Sequence, residues 1–293
     1  MACLTNEFSC GAGRLRVDVH GPEQATSVVD DMTFLSYRLA DVAVEETVTR
    51  SAPDIVWRKD AKEKQVSYVE GILHLHGNWA EGEVQKVLVS MLALRVEEAG
   101  YHPFHASAIH YRGKTIMFLG GESNSGKSMS QIEGSRRGAE AVSTETVITD
   151  EKGIAVLGSK NIFLRKRAKG TERADKLSQD EGVNLFFGAA PDLKIRAEPS
   201  DIDLVVMPDI DGNYAITSAP LIRFEAEYQT YHCLMNYIGL HQLLAPGLVM
   251  PIIDTPVLRQ RRADFCSTFC ERPYHIIRGK TPQDILDEVE KLL

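Results

Sequence analysis

Cysteine is scarce in this sequence: five residues in 293, Cys3, Cys10, Cys233, Cys266 and Cys270, with no C-x-x-C pair. An odd, scattered set argues against a disulfide framework and against a zinc site built on paired thiolates, and fits reduced thiols. Cys266 and Cys270 stand four apart and would share a helix face, which by itself makes no metal site. Long apolar runs are missing as well, since none approaches the ~18 residues that a membrane-spanning helix needs. The opening MACLTNEFSC has no basic stretch followed by an apolar core, so no leader is expected and the expected location is cytoplasmic. Nor is there a basic excess: 33 Lys and Arg against 41 Asp and Glu give a net charge of -8. Binding a phosphate backbone needs a dense basic face, so neither nucleic acid nor a membrane surface is expected as a partner. Internal repeats and low-complexity linkers are also absent.

What is present, 43% hydrophobic and 25% charged residues, is the composition of an ordinary globular chain of one large or two modest domains. Residues 1–79 read as a β-rich region, with strands in RLRVDVH, MTFLSYRLA, DIVWR, QVSYVEG and ILHLHG. A helix is expected over 80–99, where Val84, Leu88, Met91 and Leu94 recur at helical spacing before Gly100, packing between that region and a second domain over 80–293. Next, HPFHASAIH and KTIMFLG form two strands joined by YRGK, and the second runs into GGESNSGKSMS. A helix from Lys127 to Arg137, closed by Gly138, should follow. AEAVSTETVITDEKGIAVLGS then reads as strand, DEKG turn, strand: a hairpin where a long crossover to a parallel strand would be more usual. IDLVVMPDIDGNYAI and PYHIIRG are strand-like, Ile222 to Leu244 is the single long helix expected between them, and TPQDILDEVEKLL is a last helix with Thr281 as cap and Pro282 at its first position.

The chemistry is concentrated in GGESNSGKSMS, which fits G-x-x-x-x-G-K-[ST] from Gly121 through Gly126, Lys127 and Ser128. Glycines let consecutive backbone N–H groups turn inward on phosphate oxygens, and the positive end of the following helix adds to the attraction. The expected nucleotide-binding residues are Gly121, Glu122, Ser123, Asn124, Ser125, Gly126, Lys127, Ser128 and Met129. Lys127 would reach the β and γ phosphates, and the Ser128 hydroxyl would hold magnesium. The implied ligands are ATP and Mg2+.

From FHASAIHYRGKTIMFLGGESNSGKS through RRGAEAVSTETVITDEKG the chain resembles the HPr kinase/phosphorylase family. His105 falls at the family histidine, Gly121 to Ser128 at its loop and Arg137 with Gly138 at its helix end. Thr144 and Glu145 fall where the family carries two adjacent aspartates. The resemblance covers residues 100 to 160 well and the later elements more loosely. It implies an α/β fold with the P-loop core of the HPr kinase C-terminal or phosphoenolpyruvate-carboxykinase-like type, a mixed sheet, and a smaller β-rich region before it.

It also implies phosphorylation of a hydroxyl by magnesium-ATP, with His105 at the site and Glu145 helping to hold the metal. Taken with the loop motif and the charge run at 165–169, the catalytic candidates are His105, Lys127, Glu145 and Arg165, and the metal ligands Ser128 and Glu145. The family's first aspartate removes the hydroxyl proton, and Thr144 has no such capacity. Three accounts stay open: Glu145 serves as base while Asp150 or water completes the metal shell; the hydroxyl attacks without a strong base; or nucleotide binds without transfer. The acceptor is expected to be a small metabolite or a peptide or protein serine. A non-catalytic nucleotide-binding regulator and a nucleotide hydrolase are the alternatives, and homo-oligomerisation is left open.

Other residues have two readings. LVVMPD ends an apolar strand at Asp209, the form of a second magnesium motif, and PDIDG is equally a plain turn. FLRKRAK offers cations for a transferring phosphoryl group, Arg165 first among them, or a solvated charge run. RQRR at Arg259 to Arg262 reads as surface or subunit contact, and His110 as structural.

Overall fold

The computed structural model describes residues 2–21, 27–46, 52–120, 125–165, 182–186, 193–240 and 247–293. The chain is α/β with open mixed sheets, and it divides into two compact units, Met1–Pro103 with Met235–Gln260, and Phe104–Leu234 with Arg261–Leu293. Among the described residues no helix is long and apolar enough to cross a membrane.

The first unit holds a six-stranded sheet. β1 (Ala2–Cys10) and β2 (Gly13–Gly21) pair antiparallel, and β3 (Ala43–Glu46) lies on the far side of β1. β4 (Ile55–Arg58) and β6 (Ile72–His76) extend the sheet parallel to β2, and β5 (Gln65–Val69) closes it antiparallel to β6. Period-two alternation puts Leu15, Val17, Val19, Ile55, Trp57, Leu73 and Leu75 on one buried face. The helix expected over 80–99 is α2 (Glu81–Glu98), which packs along β2; a Cβ on Gly13 would lie 2.7 Å from the Val96 side chain. Glu83 in its first turn accepts the Ala80 N–H at 2.9 Å and the Lys64 ammonium at 2.6 Å.

Three elements of this unit differ from expectation, β3 among them, a strand that the sequence reading did not name. MTFLSYRLA contains a helix, α1 (Thr33–Arg38), in place of a strand, because Leu35 and Leu39, four apart, are the side chains it buries. β1 had no sequence signal because Asn6 occupies one of its inward positions, in line with Phe8 and Cys10.

The second unit is built on β7 (His102–Tyr111) and β8 (Lys114–Leu119), the expected pair, antiparallel from Ala106↔Leu119 to Tyr111↔Lys114. Its sheet runs β14 (Ser200–Asp201), β11 (Ile154–Gly158), β10 (Thr146–Thr149), β7, β8, β15 (Leu204–Ile210), β17 (Tyr274–Gly279) and β16 (Thr217–Pro220), with β9 (Glu140–Ser143) also on β7. β10 and β11 are the expected hairpin; its turn is fixed by Asp150, whose Oδ1 accepts the Lys152 and Ile154 N–H groups at 2.9 Å, and by Gly153 at φ 79°. β12 (Asn161–Arg165) and β13 (Gly182–Phe186) form a separate pair. β8, β15 and β17 are mutually parallel, so their C-terminal ends share one edge of the sheet.

Helices cover both faces. Phe104, Ala106, Met117, Leu119 and Val205 pack with Cys233 and Leu234 of α4 (Arg223–Ile238) and Phe265 and Phe269 of α5 (Pro256–Phe269). On the other face Ile109, Ile116, Phe118, Val206 and Ile210 meet Ile285, Leu286 and Val289 of α6 (Pro282–Leu292). The helix after the glycine-rich stretch, α3 (Lys127–Arg136), lies against α6, and Arg137 joins the two through Glu133, Asp287 and Glu290 at 2.8 to 3.1 Å. Thr281 caps α6 as expected, accepting the Asp284 N–H at 3.2 Å.

α4 ends at Ile238, short of the expected Leu244, and residues 241–246 lie outside the described set. α5 was not expected, and it corrects the reading of RQRR. Arg259 and Arg261 are exposed, but Arg262 is fully buried, its Nη1 3.4 Å from the Tyr231 hydroxyl. The inward stripe is Leu258, Arg262, Phe265 and Phe269, and a charge in its middle hides the helical period. Cys10, Cys233, Cys266 and Cys270 are buried free thiols, the last two among the aromatic side chains of the core.

Candidate functional site

β8 ends at Leu119 and α3 begins at Lys127; of the stretch between, Gly121, Glu122, Ser123 and Asn124 lie outside the described residues. Gly126 is the N-cap of α3 at φ 107°, a left-handed conformation that glycine adopts without strain. A Cβ there would also sit 2.5 Å from Ile210 Cδ1, so the end of β15 is the floor beneath the turn. The same strand end holds the loop through its backbone, Ile210 N–H donating to Ser125 O at 3.1 Å.

Lys127 is buried, and its ammonium donates to the Gly120 carbonyl at 2.8 Å, folding back over the strand end. The Lys127 charge also acts on Cys233 of α4; burial pushes its thiol up to about 11 against that charge and a hydrogen bond with the Gly120 backbone, so it stays protonated and serves as packing. α3 has no acidic residue in its first turn to neutralise its positive end, and the first amides of a helix have no intrahelical acceptor. The Ser125 hydroxyl is buried with no hydrogen-bond partner among the described residues. Met129 is exposed, and Ser128 partly so.

On the β7 side, His105 immediately precedes the Ala106↔Leu119 pair, at the loop end of the hairpin. Its Nε2 lies 3.2 Å from Glu145 Oε1, and both side chains are more than nine-tenths buried. Two residues further along β7, the Ser107 hydroxyl donates to Lys127 O at 3.3 Å, tying α3 to the strand.

Thr144 and Glu145 form the break between β9 and β10, and Ser159 shapes it. Ser159 Oγ accepts the Glu145 and Thr146 N–H groups, each at 2.9 Å, and Ser159 O accepts the Thr144 N–H at 2.9 Å. Glu145 O in turn accepts the Ala106 N–H at 3.1 Å, which holds the carboxylate beside His105. The Thr144 side chain points the other way: it is buried, and its hydroxyl donates toward Ser159 O at 3.0 Å and Asn161 O. Thr144 is therefore a structural donor.

Arg165 closes β12 opposite Gly182, and its side chain lies outside the described residues. Asp209 bonds Arg278 of β17, Nε to Oδ2 at 3.2 Å. His110 takes the structural role, its Nδ1 3.1 Å from the Thr115 hydroxyl. The structure thus brings together Ser125, Gly126, Lys127, His105 and Glu145 about one strand end.

Ser107, Ser159, Ile210 and Arg278 escaped the sequence reading. A lone serine or an arginine closing HIIRG has no motif, and only strand order brings them near the loop.

Among the described residues no group of three or more His, Cys, Asp or Glu gathers as a metal cage. A magnesium ion bound with a nucleotide does not require one, because it keeps several waters and takes one or two protein oxygens plus phosphate oxygens. The Ser128 hydroxyl and Glu145 carboxylate are hard oxygen donors of that kind, so the donor set fits the ion. No protein-family model matches the chain, and no curated protein is significantly similar to it.

Proposed function

We propose that the second unit is a P-loop kinase core related to the HPr kinase/phosphorylase group, binding a nucleoside triphosphate with magnesium and transferring the terminal phosphoryl group to a hydroxyl. The observation that carries this reading is the union of a left-handed Gly126, a buried Lys127 and an unneutralised helix start at the end of β8 with the buried His105–Glu145 pair one strand away. An anion site alone would not need the carboxylate.

In this reading the loop amides and the α3 N-terminus cradle the phosphates, and Lys127 exchanges the Gly120 carbonyl for a phosphate oxygen. Ser128 and Glu145 would hold magnesium, which supplies charge neutralisation when bound. Glu145 accepts the proton of the attacking hydroxyl, and His105 keeps its carboxylate aimed at the loop. Met129 borders the nucleotide, and Gly121 to Asn124 complete the cradle. The acceptor is a small metabolite or a peptide or protein serine, and the setting is cytoplasmic.

A second reading has its own observation. Thr144, where the resemblance places the family's proton-accepting aspartate, is committed to two carbonyls, and this favours a nucleotide-binding regulator if Glu145 does not substitute. ATP turnover with and without a panel of alcohols separates the readings. Acceptor-dependent ADP release is the result expected here; acceptor-independent release means a hydrolase, and binding without turnover means the regulator. Lys127→Ala is expected to abolish tight ATP binding by calorimetry while circular dichroism stays unchanged, and unaltered affinity would remove the loop assignment.

A further inference from the structure

The glycine-rich loop has a second flank, on β15 and β17. Asp209 pairs in register with Arg278, and the guanidinium lies 3.2 Å from the carboxylate and 5.5 Å from the Tyr214 ring centre. The couple is fastened to the loop through its neighbours. Ile210, next to Asp209, bonds Ser125 O and floors Gly126, and the Asp211 N–H donates to Gly279 O at 3.0 Å, locking the end of β17 to the end of β15.

Sidedness agrees. Alternation along β15 puts Val205 and Met207 on the α4 face, and Asp209 follows them. The Lys127 charge acts on the Cys233 thiol of α4, so the lysine charge lies toward that face too. Adjacent strands are about 4.8 Å apart, so β17 stands about 10 Å from β8, a gap that an extended arginine side chain largely spans. Arg278 is half-exposed, and it meets Asp209 through Nε, one edge of a guanidinium that carries five N–H donors.

We propose that Arg278 recognises the terminal phosphoryl group of the bound nucleotide, with Asp209 and Tyr214 as positioning residues that aim it, so that the site distinguishes a triphosphate from a diphosphate. This rests on the phosphate-loop reading above. A planar fork of donors suits a phosphoryl group with three peripheral oxygens, and a cation at that point answers the charge that grows there during transfer.

Calorimetry with magnesium-ADP and with a non-hydrolysable magnesium-ATP analogue tests it on the full chain. Arg278→Gln is expected to weaken the triphosphate analogue about 10- to 100-fold, the worth of a hydrogen bond to a charged group, with ADP affinity unchanged. Arg278→Lys keeps part of the preference, and Asp209→Asn reduces it through misplacement of the arginine. Equal losses for both nucleotides, or no loss for the analogue, overturn the role of Arg278. Lys127→Ala, run alongside, separates the premises: if it leaves both affinities intact the loop itself is wrong, and if it lowers both while Arg278→Gln is silent only the arginine's role falls.

Discussion

At the scale of single residues the informative contrast is between neighbours, Thr144 and Glu145. Placing at 144 the aspartate that the resemblance suggests looks attractive from sequence, but the structure makes that position a donor facing two carbonyl oxygens in a buried place. A carboxylate there would lose the hydrogen bonds and meet like partial charge, so Thr144→Asp is expected to destabilise by about 1–3 kcal/mol or more. Thr144→Ser, which keeps the donor, should be nearly neutral, and urea midpoints of the two variants check this. Glu145→Gln keeps size and loses charge; turnover should fall by about 10² to 10⁴, the usual worth of a positioned base. Nucleotide affinity measured without magnesium should hardly change, since the carboxylate assists only through metal or acceptor. Parental turnover in Glu145→Gln would end its role as base.

At the scale of elements, the turn from β8 to α3 depends on Gly126. An alanine there combines a left-handed backbone with a Cβ 2.5 Å from Ile210, and strain of about 1–3 kcal/mol is expected together with loss of nucleotide binding. A lower denaturation midpoint checks the first part and calorimetry the second.

β17 carries a pH-dependent term. Burial holds the His275 imidazole below its ordinary value, and its Nδ1 has no hydrogen-bond partner among the described residues. The unfolded chain therefore takes up that proton first as pH falls. The contribution is complete above about 6.5 and is lost as pH drops through the interval down to the folded value. The urea midpoint should fall between about pH 7.5 and 5.5, and the fall should shrink in His275→Gln.

Elements also show what the sequence could disclose. The β7–β8 pair, the helix after the loop, the DEKG hairpin and the Thr281 cap were legible because each is written in local signals: alternation, glycine, an Asx turn, a cap and a proline. β1 and α5 were not, since Asn6 and Arg262 put polar groups at inward positions that only tertiary partners justify. Lys127, His105 and Glu145 were singled out through motif and resemblance, whereas the contact between His105 and Glu145 was not foreseen. Arg278 and Ser159 were hidden, because their relation to the loop exists only through strand order and a turn closed from fourteen residues away.

At the scale of the whole molecule, every described member of the candidate site, from His105 through Lys127 and Glu145 to Asp209 and Arg278, belongs to the second unit. A ligand that binds only the folded state stabilises it by mass action, by about 2.7 kcal/mol at a hundredfold excess over Kd. Local opening responds in the same terms, so amide exchange reads out where the ligand sits. With magnesium-ATP present, slower exchange is expected at 125–130, where the loop enters α3, at 105–107 on β7 and at 144–146, where Ser159 holds the turn. The six-stranded sheet of the first unit should exchange as before, because none of its residues enters the site. Protection confined to that sheet would place the nucleotide elsewhere and defeat the kinase reading. Protection at the loop without any change at 144–146 would leave nucleotide binding standing and remove Glu145 from it.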